Sequence, residues 1–294
     1  MTIKHLVISG GGPTMVQSLG SIQHLEQEKF ILRDKIESIY GTSAGAIVGT
    51  LICLNFDWET INDYIIKRPW QDVFSIKVQD IFDSYTKKGI FDTKTIEKCF
   101  KPLLNAKDIS LQITLKEFYD YSKIEMHFFT FEINKFSLID ISYLTHPELE
   151  LLTAIQMTCG IPVLLTPVCI EDKCYIDGGM VCNYPLKYCV DSGKNVEEIL
   201  GIKNQYNNSN TNCVDSSSNM LDFIMCILFN TIFSLKMNYI EPIIKYEVIN
   251  DTELMSFESL KNALSSIEVR TDLLNSGIQT AKGFLSKQNI SNNL

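Results

Sequence analysis

Three glycine-bearing turns hold the residue types that acyl transfer needs: Gly10-Gly11-Gly12, Gly41-Thr42-Ser43-Ala44-Gly45 and Asp177-Gly178-Gly179. An apolar β-like run over 36–40 enters the second, and a helix-like run over 46–54 leaves it. A strand that turns sharply into a helix through G-x-S-x-G is a nucleophile elbow. The strained turn lifts the serine Oγ clear of the backbone, and Gly41 and Gly45 let strand and helix approach closely. Ser43 is therefore the candidate nucleophile. The pentapeptide alone is a weak signal, arising by chance in roughly one chain in ten of this length. The three turns together are far more specific.

Acyl transfer also needs a base and preorganised donors for the oxyanion. The loop Gly10, Gly11, Gly12 opens onto a helix N-terminus and can present N–H groups where negative charge develops. Pro13 has no N–H, so Gly11 and Gly12 are the better donors. Asp177, followed by two glycines that permit close backbone approach, can accept the Ser43 proton. Of the four histidines, His5, His24 and His127 lie in no catalytic-looking context. His146, in Thr145-His146-Pro147, is the one loop candidate and reads as a surface residue.

The elements around these turns follow from pattern. A buried strand over 4–9 leads through the glycine loop into a helix with Met15, Leu19, Ile22 and Leu25 at helical spacing. Residues 36–54 repeat strand, turn and helix. Two βα units in succession predict an α/β fold of three layers, α/β/α, with a mostly parallel central sheet, helices on both faces and extra C-terminal helices. Sites on such sheets lie at the strand C-termini, so all three glycine turns are expected at one edge. Residues 57–104 read as a helical insertion, 125–133 as a strand with an antiparallel partner over 137–142, and 149–159 as a helix stopped by Gly160 and Pro162. Residues 173–177 form the strand that carries Asp177, and 201–203 are expected to close the sheet. This organisation divides the chain into a catalytic domain over 5–203, an Asn- and Ser-rich surface loop over 204–219, and a helical extension over 220–294 packed on the same domain. In that extension the apolar run 223–229 is too short to span a membrane. It is expected to be a helix buried against the sheet, so that Phe229→Asp would destabilise the fold; the alternative is an exposed membrane-docking helix, in which the same change would weaken vesicle binding and leave the melting temperature alone.

At 294 residues and 45% hydrophobic, the chain can bury a large core. A net charge of −9 argues against nucleic acid as a partner and gives no general attraction to anionic membranes. Nine cysteines with no C-x-x-C suit neither a zinc site nor a disulfide framework and read as reduced thiols. Met1 runs directly into a strand-like segment, so no secretion signal is expected and a cytoplasmic location is.

Together these residues resemble the patatin-like phospholipase family, whose members carry a glycine-rich oxyanion loop, then G-x-S-x-G, then D-G-[GA]. The helix and proline loop over 154–162 with Pro167, and the segment from Tyr175 to Leu186, resemble the family further, and the likeness runs from about His5 to Lys203. The resemblance implies a Ser43–Asp177 dyad that works without histidine, with Gly10 to Gly12 as the oxyanion loop and no metal or cofactor. It also implies a phospholipid or other lipid ester as substrate and peripheral contact with membranes. One departure stands out: where the family loop continues with Arg or Lys and then Gly, this chain has Thr14 and Met15. Backbone donors can act without that cation. The departure motivates the alternative of a non-catalytic lipid-binding or interaction protein on the same fold. A nucleotide-binding reading of the first loop fails, because Met15 stands where a further glycine would be required. Apolar residues over 161–165 are equally suited to an acyl channel and to core packing.

Overall fold

The computed structural model describes residues 2–206, 214–236, 241–253 and 255–291. β1 (His5–Ile8) leads through the first glycine loop into α1 (Met15–Gln27), and β2 (Ser38–Thr42) through the serine turn into α2 (Ala44–Cys53). The insertion follows as α3 (Trp58–Asn62), a π turn at Asp63–Lys67, α4 (Trp70–Val73), α5 (Val78–Lys87), β3 (Gly89–Phe91) and α6 (Thr93–Asn105). Next come α7 (Leu115–Ser122), β4 (Glu125–Glu132), β5 (Ser137–Ile141), α8 (Leu151–Thr158), β6 (Val163–Leu165), β7 (Val168–Ile170) and β8 (Lys173–Asp177). The chain ends with α9 (Leu186–Asp191), β9 (Ile199–Tyr206), α10 (Met220–Lys236), β10 (Tyr246–Thr252), α11 (Phe257–Ser265) and α12 (Ile267–Ser291).

Among the described residues one sheet has the order β10-β9-β1-β2-β4-β8-β7, with β5 also paired to β4. The strands from β10 to β4 are parallel, while β5 and β8 run antiparallel to β4. The α/β expectation holds. The period of two along a strand divides the side chains between two cores. Leu6, Ile8, Ile39 and Phe128 pack into the main core with Leu19 of α1 and Leu51 of α2. Val7, Tyr40 and Phe129 pack on the other face against Leu186 and Cys189 of α9. Burial on both faces explains why these strands are continuous apolar runs.

Several expectations are corrected. Residues 201–203 do not close the sheet: β9 is flanked by β1 and β10, and it extends to Tyr206, beyond the expected domain boundary. The extension over 220–294 is not wholly helical, because β10 supplies the edge strand. That strand pairs in parallel with β9, and Ser21 of α1 fastens it, its one hydroxyl proton shared between Asn250 Oδ1 of β10 at 3.1 Å and the Gly277 carbonyl of α12 at 3.0 Å. Of the loop expected over 204–219, residues 204–206 are strand, 207–213 lie outside the described residues, and 214–219 are mostly exposed. Cys169 and Cys174 are register partners across the β7–β8 hairpin and form a disulfide, against the expectation of reduced thiols. Six further cysteines are free thiols, and Cys213 lies outside the described residues.

β4 separates the strand that carries Ser43 from the strand that carries Asp177, and a charged cluster lies at its start. His127 stacks on Tyr40 with ring centroids 4.0 Å apart, its Nδ1 lies 2.9 Å from the Asp140 carboxylate, and its Nε2 lies 3.3 Å from Glu125. Burial alone would lower the His127 pKa, but the contacts with Asp140 and Glu125 outweigh it and hold the value above the ordinary 6.5. Glu125, held by His127 against the cost of burial and paired with Lys194 at 3.3 Å, is lowered to about 2. A raised histidine stabilises the fold fully below its unfolded value and loses that contribution as pH rises through the folded one. A lowered carboxylate stabilises above its unfolded value and loses its contribution as pH falls. The cluster is therefore complete between the ordinary values of 4.5 for glutamate and 6.5 for histidine. We expect the urea midpoint to fall as pH rises above the ordinary histidine value of 6.5, and His127→Gln to flatten that fall. An unchanged pH slope in the variant would refute the assignment.

Candidate active site

Ser43 caps the N-terminus of α2 with φ 52° and ψ −123°, a conformation that only surrounding contacts can impose on a side-chain-bearing residue. Its amide donates to Thr158 Oγ1 at 2.9 Å, and Thr158 passes the bond on to the Phe129 carbonyl at 2.6 Å. On the other side Thr42 Oγ1 donates to the Cys182 carbonyl at 3.0 Å. The turn is thus fastened to α8, to β4 and to the segment after Asp177. Gly45 is small because α2 crosses the end of β1: a Cβ there would lie 2.2 Å from the Ile8 carbonyl oxygen.

Asp177 reaches the same edge by an unexpected direction. β8 begins beyond the C-terminal edge and runs down into it, with Tyr175 opposite Glu132 and Asp177 opposite Thr130. The Asp177 amide donates to the Gly160 carbonyl at 3.0 Å, and its Oδ1 accepts the Gly179 amide at 2.6 Å, which orients the carboxylate. Asp177 is 4% exposed and Ser43 6%, and both line a cleft of about 50 Å³ with Gly11, Gly12 and Asn183. Gly41, Gly45, Gly178 and Gly179 form the tight turns beside it.

The glycine loop divides its amides. Gly10 donates its N–H to the Asn183 carbonyl at 2.9 Å and so does not face the cleft as a donor. The amides of Gly11 and Gly12 have no acceptor among the described residues and border the cleft. Three side chains hold the loop by the Gly10 carbonyl: Asn183 Nδ2 at 3.0 Å, Asn204 Nδ2 at 2.9 Å and the Tyr206 hydroxyl at 3.3 Å. Asn204 also donates to Thr14 Oγ1 at 2.7 Å, and Thr14 donates to the Gly11 carbonyl at 3.2 Å. Sequence reasoning missed Asn204 and Tyr206 because they sit at the start of a polar stretch that reads as loop. Asn183 lay within the D-G-G segment without an assigned part.

Cys159 is a further neighbour not foreseen. Burial first, and the charge of Asp177 second, push its thiol well above its ordinary value, partly offset by a hydrogen bond with Ser43. It is therefore a neutral neighbour rather than a competing thiolate. None of the histidines lines the cleft: His5 pairs with Ser38, His127 with Asp140, and His146 with Thr145.

A second cavity of about 230 Å³ shares Gly12, Ser43 and Ile161 with the cleft and runs beneath α2 past Ile47 and Leu51 to Phe74 and Phe91. Ile161, Leu164 and Leu165 line it, while Leu165 also packs in the main core and Leu164 against Met225 and Met255. Arg270 lines it too, but its guanidinium is spent on the carbonyls of Ile66, Arg68, Ala263 and Leu264 at 2.6–3.3 Å. Leu228, Phe229 and Ile232 of α10, with Met255, cover the Ser43 cleft. The run 223–229 is thus not packed against the sheet, and Phe223 and Ile227 are 48% and 53% exposed. The sheet already has helices on both faces, so α10 finds its apolar cover over the site.

A family model described as patatin-like phospholipase matches residues 6–190. The "Probable lipid hydrolase 463L" of Invertebrate iridescent virus 6 is 25% identical over 293 residues, spanning 99% of this chain and 91% of that protein. The "Uncharacterized protein R571" of Acanthamoeba polyphaga mimivirus is 23% identical over 210 residues, spanning 71% of this chain and 67% of that one. VipD from Legionella pneumophila superposes with a TM-score of 0.60 at 16% identity over 98% of this chain and 67% of its own, a likeness of fold.

The crossing of α2 over β1 is testable. Gly45→Ala should destabilise the fold by about 1–3 kcal/mol in chemical denaturation, because the new methyl meets backbone that cannot move aside. Gly283→Ala on α12, where a Cβ meets nothing within 4 Å, should be neutral or stabilising. Equal effects at the two sites would overturn the crossing.

Proposed function

The chain belongs to the patatin-like phospholipase family, and on that premise we propose that it is a lipid acyl hydrolase in which Ser43 is the nucleophile and Asp177 the general base. The observation that carries the reading is the cleft itself: a serine on a strained elbow, a buried carboxylate and two glycine amides with no acceptor among the described residues border one small space that adjoins an apolar cavity. Ser43 Oγ attacks the ester carbonyl as Asp177 takes its proton, and the amides of Gly11 and Gly12 stabilise the oxyanion. The proton on Asp177 then passes to the departing alcohol, and water, deprotonated by the same carboxylate, releases the fatty acid from the acyl-enzyme. The cavity beneath α2, smaller than the roughly 300 Å³ at which pockets for whole drug-sized ligands begin, suits one acyl chain with the head group outside. Phospholipids and lysophospholipids are the substrates of this kind.

The rival reading, a lipid-binding protein without catalysis, draws on Thr14 and Met15 in place of the family's basic residue and glycine. Thr14 has a different task here, joining Asn204 to the Gly11 carbonyl, so the loop is held by neutral polar groups in place of a cation. A fluorophosphonate probe separates the readings. It should label the wild type and not Ser43→Ala, and absence of labelling in the wild type would refute the hydrolase. Asp177→Asn, which keeps the shape but removes the basicity, should lower ester turnover by about 10²–10⁴-fold, while replacement of any one histidine should leave it nearly unchanged. A comparable loss in His146→Ala would mean that the base is wrongly assigned.

The polar clamp makes a second demand on the kinetics. Asn204→Leu should lower kcat by roughly tenfold to a hundredfold, somewhat less than outright loss of an oxyanion donor, with KM little changed. A fall confined to KM would mean that Asn204 acts on substrate binding and not on the loop.

A further inference from the structure

α5 is an amphipathic helix mounted with its apolar side outward. Val78, Ile81, Phe82 and Tyr85 recur at helical spacing and are 72%, 56%, 71% and 93% exposed. Asp80, Asp83 and Ser84 are the partly covered residues of the helix, and none of its residues is buried. The polar side is satisfied within the helix itself: Asp80 accepts the Lys77 amide at 2.8 Å, and Asp83 accepts Gln79 at 2.7 Å and Lys87 at 3.0 Å. Nothing in the fold therefore requires this stripe, and exposed apolar stripes mark a surface with an occupant.

We propose that α5 docks this protein on a phospholipid surface, an inference that rests on the acyl hydrolase reading for its choice of occupant. Continuity with the acyl cavity supports it: Phe74 just before the helix and Phe91 just after it both line that cavity. A chain drawn from the lipid layer at α5 is thus beside the space that leads to Ser43. Charge supports it as well. Lys77 and Lys88 are exposed at the two ends of the stripe in a chain of net charge −9, which would place ammonium groups at the depth of lipid phosphates while Phe82 and Tyr85 enter the acyl boundary. A second outward stripe, Met220, Phe223 and Ile227, lies on α10, the helix that covers the Ser43 cleft. A second copy of the chain fits less well, because four side chains on one helix fall short of the roughly 20–30 residues per partner in a stable interface.

The test is co-sedimentation with phosphatidylcholine vesicles, which needs no catalysis, alongside turnover of a soluble short-chain ester and the melting temperature. The double variant Phe82→Asp/Tyr85→Asp should lose roughly tenfold or more in vesicle partition, with soluble-ester turnover and Tm unchanged. Wild-type partition in that variant, or a wild type that does not bind vesicles, would overturn the proposal. So would a concentration-dependent dimer that the two substitutions dissolve without affecting vesicle binding. Vesicle binding that the double variant loses, in a protein that hydrolyses no ester, would support docking and refute the hydrolase reading.

Discussion

The positive φ of Ser43 is the constraint on which the surrounding structure converges. An isolated chain would relax it at once, since a residue with a Cβ gains free energy by leaving that region. Relaxation is blocked from three sides: the Ser43 amide is bound to Thr158, the preceding Thr42 is bound to the Cys182 carbonyl, and the helix that follows is pressed on the Ile8 carbonyl at Gly45. Each of these partners belongs to a different element. The elbow thus exists only when α8, β1 and the segment after β8 are all in place, and those same elements bring Asp177 and the glycine loop to it.

The glycine loop is held by a different means. Its first carbonyl accepts three side-chain donors, more than a carbonyl in water-free surroundings normally gathers, and all three come from the chain beyond residue 182. Neutral amides and a phenol hold the loop in shape without adding net charge beside the place where an oxyanion would form. Under the proposed hydrolase reading, stabilisation of that anion would fall to the amides of Gly11 and Gly12 and to the N-terminal end of α1. A rigid loop matters more under this arrangement, because dipoles act over shorter distances than a cation.

Apolar surface is distributed with the same economy. The sheet has both faces covered, so the helices added by the insertion and the extension find their apolar contacts around the cleft and the cavity beneath α2. α10 covers the cleft with Leu228, Phe229 and Ile232, while α11 and the insertion are joined through the guanidinium of Arg270, whose donors end on carbonyls of both. No helix among the described residues is long and apolar enough to cross a membrane.

The local units were legible in the sequence because their signals are local. Strand, glycine turn and helix recur within some twenty residues around Ser43, and the three turns could be assigned to one sheet edge from the way βα units stack. Strand direction was not legible at Asp177: an apolar run ending in a glycine turn looks alike whether it runs up to the edge or down into it, and only pairing with β4 decides. The same holds for β10, whose short amphipathic run became a strand because β9 offered an open edge and Ser21 offered Asn250 a partner. Asn204, Tyr206 and Thr158 act across 100 to 200 residues of chain, a separation at which no spacing rule operates. The apolar run of α10 was recognisable as a helix, but what it covers depended on which surfaces the rest of the fold had left open. Composition and pattern thus determined the βα units and the residues able to do chemistry. Tertiary structure decided strand direction, the bonds that hold the elbow and loop, and which apolar faces meet the site or the solvent, because each of these depends on contacts between segments far apart in the chain.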